Sequence, residues 1–262
     1  MISGTAHDLI EILKKSDAAK DVSDITITSG NQNDIKIFFD LLKEKGFLTL
    51  VTRLAIFDCR LITIPNMVFE MQNLTSLCIS GTKLQYISPS IEQLQRLEDL
   101  SFSQNAITVL PLSICNLKGL KNLQLSGNAL SELPFLFTQL QSLEFVDISS
   151  NKFEKFPACL LQLTGLKYLN IVQNSWRLSQ EEMDIIFSLS ARCDVVFNNI
   201  FPREKLQELQ LLEKRFRPQT IMFYAIPVRR STSTDSSSLK PSVKETHQPI
   251  SAPALSPALV PC

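Results

Sequence analysis

The sequence predicts an α/β solenoid, a stack of short strand-bearing coils closed at its ends by helices. Three observations predict it: a repeat of constant period, apolar residues spaced to fill one face of a strand, and an asparagine placed just after each strand. In LKNLQLSGNALSELP, Leu120, Leu123 and Leu125 stand three and two residues apart. Leu123 and Leu125 share one face of a strand while Gln124 points to the other, and Asn128 marks where the chain turns away. The first apolar position of this pattern recurs at 51, 74, 97, 120, 143 and 166, so six units of 23 residues cover 51–188.

A single unit of this length cannot bury its apolar face. Stacked neighbours share one continuous core, and each buried Leu or Ile stabilises by about 1.5 to 3 kcal/mol, which offsets the chain entropy lost on ordering. The pattern L-x-x-L-x-L-x-x-N-x-L at this period resembles the leucine-rich repeat. The second half of each unit, such as LPLSICNLKGL, carries Pro65, Pro111, Pro134 and Pro157 where a fixed φ and a missing amide donor do no harm. That style is similar to cytosolic repeats of the 23-residue type: the Ras suppressor, the Ras-to-Raf scaffolds and the plant intracellular Ras-group repeat proteins. The resemblance implies a horseshoe whose parallel strands line the concave face. It also implies a hydrogen-bonded ladder of Asn105, Asn128, Asn151 and Asn174 that satisfies backbone groups where the chain leaves the strand. Cys59 and Thr82 hold that position in the first two units and offer fewer bonds than an amide, so the N-terminal end is expected to be the looser one.

The flanks read as caps. Residues 1–50 hold a divergent first unit: Leu9, Ile10, Ile12 and Leu13 predict an amphipathic helix with Thr5 and Asp8 in capping-box spacing. VSDITITSG then repeats the three-then-two pattern, and a helix is expected from about Asn33 to Lys45, stopped by Gly46. After the repeats, residues 189–226 form the C-terminal cap. Ser179 and Glu182 have capping-box spacing before an apolar helix, a strand is expected near Asp194 to Phe197, and a helix after Pro202 carries Leu206, Leu209 and Leu212 on one face. Residues 227–262, rich in Ser and Pro and without aromatics, predict a disordered tail. Within it Arg229 and Arg230 precede Ser231, Thr232 and Ser233, which resemble a basophilic kinase site and are candidate phosphorylation positions.

Composition narrows the function. With 26 basic and 26 acidic residues the formal net charge is zero, so no broad attraction to nucleic acid or an anionic membrane is expected. No signal peptide or stretch of about 18 apolar residues is seen, and the six cysteines form no C-x-x-C pair. A cytoplasmic protein with reduced thiols is therefore expected, with Cys59, Cys115 and Cys159 in the packing and Cys78 as an exposed thiol. Only two histidines occur, His7 and His247, and the seven glycines make neither a phosphate loop nor a G-x-S-x-G elbow. Neither catalysis nor a metal or cofactor is implied. Lys36-Ile37-Phe38-Phe39 resembles a phosphatase-docking motif, but its apolar residues are expected to pack inside a helix.

What remains is a binding face. If the strands line the concave surface, the residues between the leucines point out of it together: Arg53, Ser76, Asp99, Asn122, Phe145 and Tyr168 form one column. Most of the neighbouring positions, including Gln124, are small or uncharged. The C-terminal end differs, with Phe145 and Tyr168 adjacent and flanked by Asp147, Asn170 and Val172. Exposed aromatics ringed by polar groups are what interface hot spots are made of. The sequence thus predicts a monomeric, non-enzymatic protein-binding module or signalling adaptor, and the resemblance implies a partner such as a small GTPase or signalling enzyme. A substrate-recruiting arm of a ubiquitin ligase, or of another multi-protein assembly, is the alternative.

Overall fold

The computed structural model describes residues 1–15 and 22–197. The helix expected after Pro202, the tail from 227 with Ser231, Thr232 and Ser233, and Cys262 lie outside the described residues. Nine parallel strands form one sheet in chain order: β1 (Ile2–Gly4), β2 (Asp24–Ile27), β3 (Arg53–Phe57), β4 (Ser76–Ser80), β5 (Asp99–Ser101), β6 (Asn122–Gln124), β7 (Phe145–Asp147), β8 (Tyr168–Asn170) and β9 (Asp194–Val196). Arg53, Ser76, Asp99, Asn122, Phe145 and Tyr168 pair in register from strand to strand. Repeat period and strand register are therefore the same 23-residue step. Leu54, Leu77, Leu100, Leu123, Val146 and Leu169, one residue further on, face inward and are buried.

Parallel strands need a return path between them. From β3 to β8 the return in each coil is a short 3-10 segment: Asn66–Glu70, Pro89–Gln93, Leu112–Asn116, Phe135–Gln139 and Ala158–Gln162. Pro65, Pro111, Pro134 and Pro157 stand immediately before four of these, at φ between −55° and −70°. In the second unit Ser88 takes that place, and its hydroxyl accepts from the Ser90 amide at 3.2 Å.

The turn between strand and return holds the asparagines. Asn128 Nδ2 donates to the carbonyls of Phe102, Leu125 and Ser126, and its Oδ1 accepts from the Ile107 amide. Asn151 and Asn174 repeat the arrangement one and two coils later, so each amide ties its own turn to the one before. The residue just ahead of each ladder position, Asp58, Gly81, Gln104, Gly127, Ser150 and Gln173, has a left-handed backbone with φ between 50° and 68°. The N-terminal end is not loosened in its pairing: β3 and β4, at five residues each, are the longest strands of the sheet.

Helices close the N-terminal end. In α1 (Ala6–Lys15) Thr5 and Asp8 cap each other reciprocally, the Asp8 amide donating to Thr5 Oγ1 and the Thr5 amide to Asp8 Oδ2, both at 3.2 Å. Leu9, Ile10 and Leu13 are buried, whereas Ile12 lies off the buried stripe and is 43% exposed. α2 (Gln32–Glu44) starts at Asn31, whose side chain accepts from the Asn33 and Asp34 amides, and Gly46 at φ 72° follows its end. Phe38 and Phe39 of the KIFF motif are fully buried and meet edge to face at 5.4 Å. At the other end, α3 (Gln180–Ser190) begins in a complete Ser179–Glu182 capping box. Glu182 also reaches back to accept from the Phe156 amide at 3.1 Å, which fastens this helix to the fifth coil.

Candidate functional site

The alternation of each strand sets which residues reach the concave face. Its N-terminal half is a trough of about 580 Å³ floored by small side chains, among them Ala55, Ser76 and Ser101. Cys78, expected as an exposed thiol, is only 2% exposed. It sits on the trough floor in register between Ala55 and Ser101, where the adjoining strands cover it. Arg53 Nε donates to Asp24 Oδ1 at 2.5 Å, and that bond holds the Asp24 carboxyl below the usual range. Asn122 Nδ2 donates to Asp99 Oδ1, and the Ser101 hydroxyl lies 3.5 Å from Gln124 Oε1.

Along the lip of the face, the residue preceding each strand from β5 to β8 is charged. Glu98 pairs with Lys121 at 2.7 Å and Glu144 with Lys167 at 2.6 Å. Cations and anions there neutralise each other across neighbouring coils.

At the C-terminal end Phe145 and Tyr168 stack with ring centroids 4.5 Å apart and planes 2° apart. The two residues are register partners, so the rings stack along the direction from strand to strand. Both are half-buried. Asp147 accepts from the Ser149 amide at 2.8 Å and from Asn170 Nδ2 at 3.2 Å, while Asn170 Oδ1 accepts from the Val172 amide. Asp147 and Asn170, two residues further along the same strands, thus place fixed polar groups beside the aromatic pair. Asn122, Gln124 and Val172, also half-buried, continue this surface on either side.

Residues 72–130 match a family model described as leucine rich repeat. The matched segment holds β4, β5 and β6, and the parallel solenoid sheet in which they lie is consistent with a leucine-rich-repeat horseshoe. No curated protein matches it. Among solved structures, a leucine-rich-repeat protein of Leptospira interrogans is similar at a TM-score of 0.39 and 22% identity, over 71% of this chain and 64% of that one. This chain therefore spans a little less than two thirds of that protein's length.

Among the described residues no group of three or more His, Cys, Asp or Glu is placed to hold a metal ion, and no helix is long and apolar enough to cross a membrane. Burial pushes the thiols of Cys59 and Cys159 up to about 11 and that of Cys193 up to about 12. Cys59 and Cys193 are buried in the core, and Cys159 packs against it half-buried.

Two carboxylates of the concave surface, Asp24, in register with Arg53, and Asp194, escaped the sequence reading. Asp194 of β9 is exposed and pairs in register with Tyr168. It follows Tyr168 by 26 positions instead of 23, because α3 replaces the 3-10 return, so projecting the repeat period onward misses it. Its signal was the strand expected near Asp194, counted back from the buried Val195.

Proposed function

We propose that this protein is a non-enzymatic binding module that holds another protein on the concave face of its repeats, with the contact centred on Phe145 and Tyr168. The observation that carries the reading is the stacked aromatic pair, half-buried on the face of a parallel sheet. Parallel sheets are ordinarily covered on both faces, whereas in solenoids the concave side is the extended binding surface. Leucine-rich-repeat folds serve generally as protein–protein interaction modules. Two rigid rings supply large contact area at little entropic cost, and the fixed polar groups of Asp147 and Asn170 stand beside them.

The repeat style, similar to Ras-suppressor and Ras-to-Raf scaffold proteins, supports a cytoplasmic signalling adaptor with a small GTPase or signalling enzyme as partner. Fold alone does not select that partner. The test is affinity purification with the full chain beside its Phe145→Ala, Tyr168→Ala double variant, followed by direct titration of each recovered protein. A partner bound by the wild type and lost by the variant, at unchanged thermal stability, is the expected result. Equal affinity for both forms overturns the proposed centre.

A further inference from the structure

We propose that residues 221–228 of this chain, IMFYAIPV, pack into an apolar groove on the 3-10 side of the coils, between Phe135 of the fourth unit and Ala158 of the fifth. The contact is made within one molecule and does not depend on the reading of the concave face.

An exposed apolar strip marks the place. The large apolar side chains left exposed on the first four units are Ile62, Tyr86, Val109, Leu112 and Phe135. Each lies after its unit's ladder position and no later than the first residue of its 3-10 return. Phe135, at 74%, is the most exposed large apolar side chain among the described residues. Contiguous apolar surface of this kind ordinarily meets a partner or another part of the chain.

The repeat turns the strip into a groove. Leu112, Phe135 and Ala158 stand one period apart at the start of successive 3-10 segments. A ring is thus followed by a methyl, and the step opens a cavity of about 830 Å³ lined by Leu133, Phe135, Phe156, Pro157 and Ala158 among others. Charges of both signs complete the lining, Glu132 and Glu154 beside Lys152 and Lys155, so the groove favours neither an anion nor a cation. An uncharged, apolar occupant fits it.

The chain itself carries such an occupant. Within 198–262, residues 221–228 are the longest uninterrupted apolar run, with Phe223 and Tyr224 near its centre and Arg217, Arg229 and Arg230 around it. The six apolar residues ahead of Pro227 form a window prone to self-association unless it is covered. From Phe197, one residue past β9, the 23 residues 198–220 lead to Ile221 and span up to about 80 Å. The groove stands two to three strands back from β9, roughly 10 to 14 Å along the stack. The tether therefore reaches it, and a tethered segment meets its site at an effective concentration on the order of millimolar.

The test places benzoylphenylalanine at position 135 of the purified full chain, where the exposed ring tolerates a larger one, and maps the photo-adduct by mass spectrometry at several protein concentrations. Expected is an adduct within one chain, on residues 219–230, in a yield independent of concentration. An adduct between two chains assigns the groove to a second copy. An adduct elsewhere in the same chain, or none, leaves the groove to a separate protein or to solvent; each of these results overturns the proposal. Hydrogen exchange on the full chain gives a second reading. A Phe223→Ser, Tyr224→Ser variant is expected to exchange the amides of Phe135–Gln139 and Ala158–Gln162 about ten-fold faster. Unchanged exchange in β6, β7 and β8 shows that the repeats of the variant remain folded. Equal exchange at the groove in both forms overturns the contact.

Discussion

The Thr82 hydroxyl donates to Asn105 Oδ1 at 2.5 Å and accepts from the Leu84 amide at 3.3 Å. In later coils the corresponding amides, of Ile107, Leu130 and Phe153, donate straight to the next asparagine. Thr82 is thus a relay: a hydroxyl, being both donor and acceptor, passes the bond along where an amide is absent. Replacing it by Val, which fills similar space without a polar group, is expected to lower stability by roughly 1 to 3 kcal/mol, since Thr82 is only 8% exposed. Thr82→Asn, which extends the ladder, is expected to match or exceed the wild type. Urea denaturation of both checks this, and a neutral Thr82→Val sinks the relay.

Asn128→Ala removes three donations and one acceptance from the centre of the stack. The Ile107 amide loses its acceptor, and the carbonyls of Phe102, Leu125 and Ser126 each lose one of two donors, keeping Asn105, Asn151 and the Gln104 amide respectively; the expected cost is roughly 1 to 3 kcal/mol. An unchanged denaturation midpoint contradicts the ladder's role.

Gly127 combines a left-handed φ of 68° with a close neighbour, because an added Cβ would meet the Gln104 side chain. Gly127→Ala is expected to destabilise by about 1 to 2 kcal/mol from the backbone alone. Repeating it with Gln104→Ala takes away the contact and leaves the backbone strain. The difference between the two backgrounds, read from denaturation curves, measures how far the glutamine yields.

Glu182 joins the C-terminal helix to the coils, and the Ser179 amide and then the Phe156 amide hold its carboxyl below the ordinary carboxylate range. Its folded pKa is depressed, so its contribution is fully present above the unfolded value of about 4.3 and is lost as pH falls through the folded value. Glu182→Ala is therefore expected to be less stable than the wild type at pH 7, with the gap closing as the pH drops below about 4. A gap that stays constant into acid shows that packing, not the charged cap, is responsible.

How much of this was legible in the sequence follows from what each feature requires. The register was readable because Leu54, Leu77, Leu100 and their successors are the same chemical type at one fixed step. The helix starts at Thr5 and Ser179 were readable because reciprocal capping needs two side chains at a set spacing. β1 was not, since Ile2–Gly4 is too short to display an alternation and is a strand through its pairing with β2. The left-handed turns at Asp58, Gln104, Ser150 and Gln173 were hidden as well, because only a glycine announces such a backbone. On the binding face the stacked neighbours Phe145 and Tyr168 followed from register alone, while Asp194 lay beyond the last whole period.

Because every strand pairs only with the strands before and after it in the chain, the sheet behaves as a ruler with interchangeable marks. Inserting or deleting one in-phase unit of 23 residues between β4 and β7 leaves the contacts at both ends as they are. It moves the Asp24–Arg53 pair relative to the Phe145–Tyr168 pair by about 4.8 Å, one strand spacing. The span of the recognition surface can thus be retuned in discrete increments without redesigning either terminus.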